Sequence, residues 1–471
     1  MNPKYAGFQY EFRKLAARSK LQEHQARAID RLKKEDALLL YHALGSGKSF
    51  TALGAADELG LPLDVIGPAA LKHNFPKEKE KHRVKAKLRI GTYSKPIDDP
   101  NGILAYDEAH RMGRVGSKRS QYPENIKGKK TLFMTGTPVR NHPSELIPIL
   151  RGLGIDISRD PKKFRQKFIE EINKKPPFLA SILRGVKPGV QYKAKNIEEL
   201  KKMVEGKVDY YKPPSDNYPS VKKELIEVEM TPEQNAAYQM ALKQNPSILY
   251  KIRKGLHPSK TESKKMNAFL SATRQISNIP GKYNLKATVD DAPKIKAAVD
   301  EIKKRSEKDK NYRGVTYSNY LESGVIPLSW LLHKEKVPHA IFTGKQTPKQ
   351  KKEIVDAYNK GKIKHLLISG AGAEGIDLKG TKLLQILEPH WNEARTEQVA
   401  GRAVRYKSHD HLPPEEREVV VQNLVSKPRK RGLIFKTQDM GTDEYLRMLG
   451  KEKSELVNQF NKALQSVSKE S

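Results

Sequence analysis

The sequence predicts an α/β protein: two lobes with doubly wound parallel sheets, a helical insertion between them and a C-terminal helix. Short apolar runs alternate with helix-like segments over about residues 20–150 and again over about 293–425. This alternation is typical of buried parallel strands with crossover helices. Lys-rich helical segments lie between the two stretches. From residue 441 onward large apolar side chains recur every three or four positions, which indicates an amphipathic helix.

The strand-like runs and the change in composition define four segments. We place the first lobe at 1–150, the insertion at 151–292, the second lobe at 293–440 and the helix, packed on the second lobe, at 441–471. The insertion carries one strand candidate, Glu224–Glu229. The candidates in the lobes are Ala37–Ala43, Leu63–Ile66, Leu88–Thr92, Gly102–Tyr106, Thr131–Thr135, Gly314–Ser318, Ala340–Thr343, His365–Ser369 and Lys382–Leu387.

Composition narrows the class of function. The 471 residues include 89 Lys and Arg against 55 Asp and Glu, a formal charge of +34, and no cysteine. Lack of cysteine excludes disulfides, thiolate zinc sites and cysteine nucleophiles, and it fits a reducing compartment. No apolar run is long enough to span a membrane. The basic N-terminus lacks the apolar core of a secretory signal and leaves a transit peptide as the alternative. We expect a soluble intracellular protein with an anionic partner, nucleic acid first; a charge that serves only solubility is the alternative.

Residues 42–49 (HALGSGKS) follow an apolar run and precede a helical segment. A glycine-rich turn in this position directs backbone N–H groups and a positive helix end at one point, which suits a polyphosphate. Lys48 would reach the β- and γ-phosphates, and the Ser49 hydroxyl would ligate Mg²⁺. Because His42 occupies the first glycine position of the phosphate-loop pattern, an ordinary glycine turn remains the alternative.

Two further strand ends carry polar residues. Residues 103–110 (ILAYDEAH) end in Asp107 and Glu108, where one carboxylate can hold Mg²⁺ through water and the next can orient the attacking water. Residues 131–138 (TLFMTGTP) place Thr135 and Thr137 at a strand tip, where they could sense the phosphates. A solvated acidic pair and a plain strand exit are the corresponding alternatives.

The second lobe carries two arginines on one predicted helix face. In QVAGRAVR, Gln398, Arg402 and Arg405 follow at helical spacing, and arginines so placed can stabilise the charge of a transferring phosphoryl group. The alternative is a solvated basic face. Upstream, the Gly- and Ala-rich turn SGAGAEGIDL carries one aspartate, Asp377.

Taken in order, LQEHQ, HALGSGKS, DEAH, TGTP, VTYSNY, SGAGAEGIDL and QVAGRAVR resemble the motifs of superfamily 2 helicase-like motors. The continuation TGTPVRNHPSEL and the segment TPEQNAAYQ resemble the Swi/Snf-type branch. ATRQISN, SHDHLPPEEREV and TDEYLRMLGKEKSELVNQF resemble compact motors of large DNA viruses and phages, such as the poxvirus nucleoside triphosphatase group. The resemblance implies two RecA-like lobes and, for a viral protein, a place in the virion or in the host cytoplasm or nucleus.

The resemblance also implies roles for individual residues. Gln25 would contact the adenine, and the loop from Leu44 through Gly45, Ser46 and Gly47 would surround the phosphates. Asp107 would hold the metal and Glu108 would act as the base. Residues that would complete the site or couple it to nucleic acid are His110, Thr135, Thr137, Asp377, Gln398, Arg402 and Arg405. Asp377 stands where remodelling ATPases usually carry Asn.

We therefore expect an enzyme that uses ATP and Mg²⁺ to translocate on double-stranded DNA. Basic segments suited to the phosphate backbone are 71–90, 111–130 and 426–436, with eight, seven and five Lys or Arg, respectively. A protein partner could supply targeting. A strand-separating DNA or RNA helicase is one alternative, and a non-catalytic nucleic-acid scaffold is another.

Overall fold

The computed structural model describes residues 21–69, 72–113, 116–214, 218–281, 288–370, 377–389, 399–401, 403–405, 407–429 and 439–468. They form two compact units. The first contains the described residues up to Glu170, the segment 193–214 and the residues from Glu455 onward. The second contains 171–192 and the described residues of 215–454.

The strands alternate with helices along both units, as predicted. In chain order the strands are β1 (Ala37–His42), β2 (Leu63–Gly67), β3 (Leu88–Thr92), β4 (Ile103–Asp107), β5 (Lys130–Thr135), β6 (Ile169–Lys174), β7 (Gly189–Ala194), β8 (Val208–Tyr211), β9 (Ser220–Glu229), β10 (Gly314–Ser318), β11 (His339–Phe342), β12 (His365–Ser369), β13 (Leu383–Ile386) and β14 (Glu418–Lys427).

The helices that the structure describes in the first half of the chain are α1 (Glu23–Lys34), α2 (Lys48–Leu59), α3 (Asn74–His82), α4 (Tyr122–Asn125), α5 (Ile147–Gly152), α6 (Pro161–Phe168), α7 (Phe178–Arg184) and α8 (Ile197–Val204). Those that follow are α9 (Pro232–Lys243), α10 (Pro246–Lys254), α11 (Lys260–Asn278), α12 (Pro293–Lys308), α13 (Ile326–Lys334), α14 (Pro348–Asn359) and α15 (Thr442–Ser466).

The sheet of the first unit is parallel, with the strand order β3-β2-β4-β5-β1-β8. Its central strands β1, β2 and β4 are buried at every position, which explains their unbroken apolar runs. The strands β1, β4 and β5 all end at the same edge of the sheet because they are parallel. That edge is where ligands bind in open α/β sheets.

The sheet of the second unit is also parallel, with the order β11-β12-β10-β13-β14-β9. Apolar cores lie on its two faces, one containing Ile295 and Leu328 and the other containing Tyr358 and Leu366. The predicted fold class, two doubly wound parallel sheets with helices, is confirmed. Strands β8 and β9, which lie within the segment 151–292, extend the two sheets at one edge each.

Helix α15 contributes residues to both units. Tyr445 and Leu446 pack into a core of the second unit. Within the first unit, the Asn461 side chain bonds to the Val139 backbone, and Gln465 Nε2 donates to the Tyr41 hydroxyl at 2.8 Å. The apolar spacing of this helix shows which face is buried but not which surface covers it.

Candidate nucleotide-binding site

The turn between β1 and α2 has the geometry of a phosphate-binding loop. Gly45 and Gly47 have positive φ angles of 83° and 78°, which favour glycine, and Lys48 begins α2. The Lys48 ammonium donates to the carbonyl oxygens of His42 at 2.9 Å and Ala43 at 3.1 Å. The ammonium and the N-terminal N–H groups of α2 therefore lie at one end of β1, where an anion is favoured.

Gln25 lies against this loop from helix α1. Its Oε1 accepts from the Gln22 backbone N–H at 3.0 Å, and its Nε2 is 3.4 Å from the carbonyl oxygens of both Ser46 and Gly47. A Cβ atom added to Gly47 would lie 2.4 Å from Gln25 Nε2. Glycine at position 47 is thus favoured by the backbone conformation, and a Cβ there would displace the end of the Gln25 side chain.

A buried polar cluster behind the loop was not anticipated from the sequence. His42 Nε2 lies 2.7 Å from Asp209 Oδ1, and Arg27 donates to both oxygens of Asp209 at 2.9 Å. The His24 ring stacks on Tyr211 with centroids 3.4 Å apart, and its Nε2 lies 2.9 Å from the Ser46 carbonyl oxygen. Asp209 and Tyr211 lie on β8, and no local motif marks that strand.

The charges in this cluster follow from burial and hydrogen bonding. Burial opposes ionisation of Asp209, but bonds from His42 and Arg27 outweigh it and hold the pKa of its carboxyl below the ordinary value. Burial lowers the pKa of both His24 and His42. A neutral His42 donates from Nε2 to ionised Asp209, while its buried Nδ1 has no hydrogen-bond partner among the described residues.

The acidic pair at the end of β4 is divided between two environments. Asp107 is buried, whereas Glu108 has a left-handed backbone with φ +54° and donates its N–H to Asp107 Oδ1 at 3.1 Å. Burial, together with the neighbouring Glu108 charge, raises the pKa of Asp107 to about 6, while Lys48 opposes the shift. A non-glycine residue with positive φ is costly and persists where the surrounding structure imposes it.

A short hydrogen-bonded chain connects the acidic pair to the tip of β5. His110 Nδ1 is 2.9 Å from Thr135 Oγ1 and 3.3 Å from Glu108 Oε2, and Arg140 donates to His110 Nε2 at 2.9 Å. The Thr137 N–H donates to Thr135 Oγ1 at 3.1 Å. Burial, aided by Arg140, lowers the pKa of His110 to about 3. The ring is therefore neutral, with its proton on Nδ1, because Nε2 accepts from Arg140.

The residues after TGTP fold back on a glutamate. Glu145 Oε2 accepts from the backbone N–H groups of Arg140 and Asn141 at 2.9 Å each, and Oε1 accepts from the Asn141 side chain at 2.9 Å. This arrangement fixes the backbone from which Arg140 reaches His110.

In the second unit the structure brings together two residues that were predicted separately. Arg405 Nη1 donates to Asp377 Oδ1 at 2.9 Å, and the Asn359 side chain donates to the Asp377 carbonyl oxygen at 3.0 Å. Gln398 and Arg402 lie outside the described residues, as does most of the turn SGAGAEGIDL.

The three basic segments differ in how far their charges are paired. In 71–90, Arg89 pairs with Asp64 and Asp99. In the described part of 426–436, Lys427 pairs with Glu227 and Glu444, and Arg429 lies 3.6 Å from Glu229. In 111–130, Lys118, Lys127 and Lys129 are exposed.

The residues present fit a magnesium ion held by few protein ligands. The Ser49 hydroxyl and the Asp107 carboxylate offer the oxygen atoms that Mg²⁺ prefers, and the cost of a buried Asp107 charge would be relieved by a cation. The described part of the chain contains no cluster of three or more His, Cys, Asp or Glu suited to a metal.

A glycine-rich turn after the first strand of a parallel sheet, with an acidic pair at the end of β4, which β5 separates from β1, is the arrangement expected of a nucleoside triphosphatase of the phosphate-loop class. Residues 98–282 match the SNF2-related domain, and residues 293–407 match the helicase conserved C-terminal domain.

In the part of the chain that is described, no helix has the length and apolar character needed to cross a membrane.

The chain is similar to viral proteins over most of its length. It is 32% identical to L538 of Acanthamoeba polyphaga mimivirus, whose name is that of an ATP-dependent RNA helicase, over 94% of this chain and 96% of that protein. It is 26% identical to a termination factor NPH-I homologue of African swine fever virus, over 81% of this chain and 68% of the relative. A solved structure, the Sulfolobus solfataricus SWI2/SNF2 ATPase core in complex with dsDNA, aligns with a TM-score of 0.36 and 17% identity over 87% of this chain and 88% of the other.

The chain therefore belongs to the SNF2-related family of helicase superfamily 2, and it is a nucleic-acid-dependent ATPase. The resemblance to the Swi/Snf-type branch and to viral motors is confirmed.

Proposed function

We propose that this protein hydrolyses ATP, with Mg²⁺, to translocate on double-stranded DNA. The observation that carries the proposal is the continuous arrangement in the first unit: a phosphate loop, a buried Asp107 beside Glu108, and a chain from Glu108 through His110 to Thr135. Such a chain gives the reacting end of the nucleotide a direct link to the loop that follows β5.

Within the first unit each residue has a defined task. Lys48 binds the β- and γ-phosphates, and its present carbonyl partners hold it at the loop. Ser49 and Asp107 would hold Mg²⁺, which when bound neutralises charge on the phosphates. Glu108 accepts a proton from the attacking water, and His110 Nδ1 lies 3.3 Å from its Oε2. Gln25 positions the loop backbone and contacts the base.

Residues of the second unit complete the cycle. Arg402 and Arg405 would stabilise the charge of the transferring phosphoryl group, and Gln398 and Asp377 would couple hydrolysis to movement. Arg405 is held by Asp377 at 2.9 Å, with the carboxylate more than half exposed. An exposed ion pair of this kind is weak enough to be exchanged for a phosphate contact.

The nucleic-acid surface is proposed to include the segments 71–90, 111–130 and 426–436. The segment 111–130 is the strongest of them because it follows Glu108 and His110 directly, and its lysines 118, 127 and 129 are exposed. Exposed lysines neutralise backbone phosphates without reading sequence.

The name of the mimivirus relative favours a second candidate, a strand-separating helicase that acts on RNA or DNA. A non-catalytic scaffold is disfavoured because Lys48, Asp107 and Glu108 lie together in the first unit and Arg405 is also present.

The experiment is an ATPase assay without nucleic acid, and with single-stranded DNA, duplex DNA or RNA, joined to two motor assays. We expect the largest stimulation with duplex DNA, displacement of a third strand from a triplex, and no separation of the duplex itself. If RNA stimulated hydrolysis most, or if the protein separated the duplex with ATP, the translocase proposal would be contradicted and the helicase proposal supported. If the protein hydrolysed no ATP under any of these conditions, the non-catalytic scaffold would be the remaining interpretation.

A further inference from the structure

Helix α7 turns its large apolar side chains toward solvent. Phe178, Leu179, Ile182 and Leu183 are 76%, 68%, 63% and 75% exposed, respectively. They stand at positions i, i+1, i+4 and i+5, so they share one face of the helix. Exposed apolar residues scattered singly are ordinary, whereas a contiguous face of this kind marks an interaction site. We call these four residues the α7 face.

The α7 face is held outward by packing on the opposite side of the same segment. Ala180 and Val186 are buried at 5% and 1% exposure. Gly185, with φ +60°, ends the helix, and the chain then enters β7, which pairs with β6. At the start of β7 the Val190 N–H donates to the Pro258 carbonyl oxygen at 3.1 Å. The helix is thus anchored, and its apolar face is not the product of a loose end.

The chain on either side of α7, from residue 172 to residue 193, carries charge of one sign. From residue 172 to residue 193 the chain contains five basic residues and no acidic one. Lys174 and Lys175 precede the helix, Lys187 follows it, and all three are exposed. An apolar centre with a basic rim is complementary to an apolar surface with an acidic rim.

Other occupants fit less well. Nucleic acid stacks its bases on aromatic side chains, and Phe178 is the single aromatic residue of the α7 face. Helices that lie in a membrane surface are commonly much longer than the seven residues of α7. A second copy of this chain would pair two identical faces and bring their basic rims together, which is repulsive.

We propose that the α7 face is the docking site for an acidic amphipathic segment of a partner protein. The apolar residues of the partner cover Phe178, Leu179, Ile182 and Leu183, and its carboxylates lie beside Lys174, Lys175 and Lys187. The site is outside the ATP-binding machinery, so it does not depend on the proposed motor activity. It offers a means by which a partner protein brings the motor to its place of action.

The test uses the full chain and a labelled amphipathic helical peptide of about four turns, with Leu and Phe on one face and Glu on the other. Binding is measured by fluorescence anisotropy. We expect Leu179→Ser/Leu183→Ser to weaken binding by about tenfold or more, and Lys174→Gln/Lys187→Gln to weaken it and reduce its salt dependence. Met240→Ser is the matched control, since Met240 is 71% exposed elsewhere in the second unit. Basal ATPase activity is expected to be unchanged in all three variants.

The competing occupants are tested with the same variants. A peptide with Lys in place of Glu should not bind. Equal binding of both peptides, or unchanged binding by both double variants, would overturn the proposal. It would likewise be overturned if the serine double variant instead lost affinity for phosphatidylserine vesicles or for DNA, or changed the oligomeric state in sedimentation velocity, while the acidic peptide failed to bind.

Discussion

The imidazole of His42 and the carboxylate of Asp209 are in contact between two adjacent strands of the first sheet. Nε2 and Oδ1 are 2.7 Å apart, and both side chains are fully buried. His42 ends β1, immediately before the phosphate loop, and Asp209 lies on the neighbouring strand β8. The same carboxylate receives two hydrogen bonds from Arg27 of α1. One buried anion thereby joins the first helix, the strand before the phosphate loop and the edge strand.

Asp209→Asn is expected to destabilise the protein, because the amide carries no charge and has only one oxygen for the three hydrogen bonds from His42 and Arg27 that the two carboxylate oxygens accept. Loss of one partner from a buried pair costs several kcal/mol, and the half-exposed Arg27 reduces this to about 2 kcal/mol. Urea unfolding measures the loss. The exposed Asp98→Asn is the control, and equal stability of the two variants would contradict the assigned role.

Glu108→Gln should bind ATP with nearly wild-type affinity and turn it over at least about a hundredfold more slowly, because the amide cannot accept a proton. A fluorescent nucleotide measures binding, and phosphate release under saturating nucleic acid measures turnover. Glu80→Gln, at an exposed position of α3, controls for loss of charge. Full hydrolysis by the Glu108 variant would remove this residue from the role of base.

Gly47→Ala should weaken ATP binding by about tenfold, because the new methyl group would lie 2.4 Å from Gln25 Nε2 and displace that side chain. Gly154→Ala is a close control, since its φ of +79° matches the +78° of Gly47 but nothing lies within 4 Å of the added Cβ. Both variants carry the backbone strain of about 1 kcal/mol. Isothermal titration calorimetry measures the affinity of each variant for ATP. Equal affinities of the two variants would show that the contact with Gln25 is unimportant for ATP binding.

Lys118→Glu/Lys127→Glu/Lys129→Glu should weaken nucleic-acid binding equally for unrelated sequences. The slope of log K against log salt concentration should become shallower by about 0.9 for each phosphate contact that is lost. Lys162→Glu/Lys163→Glu/Lys349→Glu makes the same change of charge at exposed positions outside the basic segments. Unchanged affinity of the first variant at low salt would exclude 111–130 from the interface.

Acid should destabilise the second unit through His365. Its ring is fully buried between Tyr312 and Thr316, and burial lowers its pKa to about 3 from an unfolded value of 6.5. Because the folded pKa is depressed, the unfolded state takes up the proton first, so stability is present above pH 6.5 and falls as pH decreases toward 3. At pH 5.5 the loss is about 1.4 kcal/mol for this group.

The measurement is thermal unfolding of wild type and His365→Gln between pH 8 and pH 5. We expect the variant to be less stable at pH 8, since glutamine cannot reproduce both ring contacts, and to lose less stability on acidification. If the stabilities of the two proteins changed with pH in the same way, His365 would not contribute to the loss of stability in acid.

The sequence by itself determined strands β1 to β5 and the glycine-rich loop and acidic pair that follow two of them. Strands β1 to β5 follow from buried apolar runs, and the loop and the pair follow from residue types at strand ends. These features depend on neighbours along the chain. The family also followed from the order of motifs, which needs no knowledge of contacts.

Only the tertiary structure decided the rest. The pairing of His42 with Asp209 joins residues 167 positions apart, and β8 carries no signal that it lies beside β1. The pairing of Arg405 with Asp377 and the neutral state of His110 likewise depend on contacts and burial that a linear pattern does not contain. The sequence also did not predict that the α7 face is exposed to solvent, because an apolar helical segment is normally expected to be buried in the core. The physical reason is common to all four: local patterns report what a residue prefers, whereas packing decides which partner it meets.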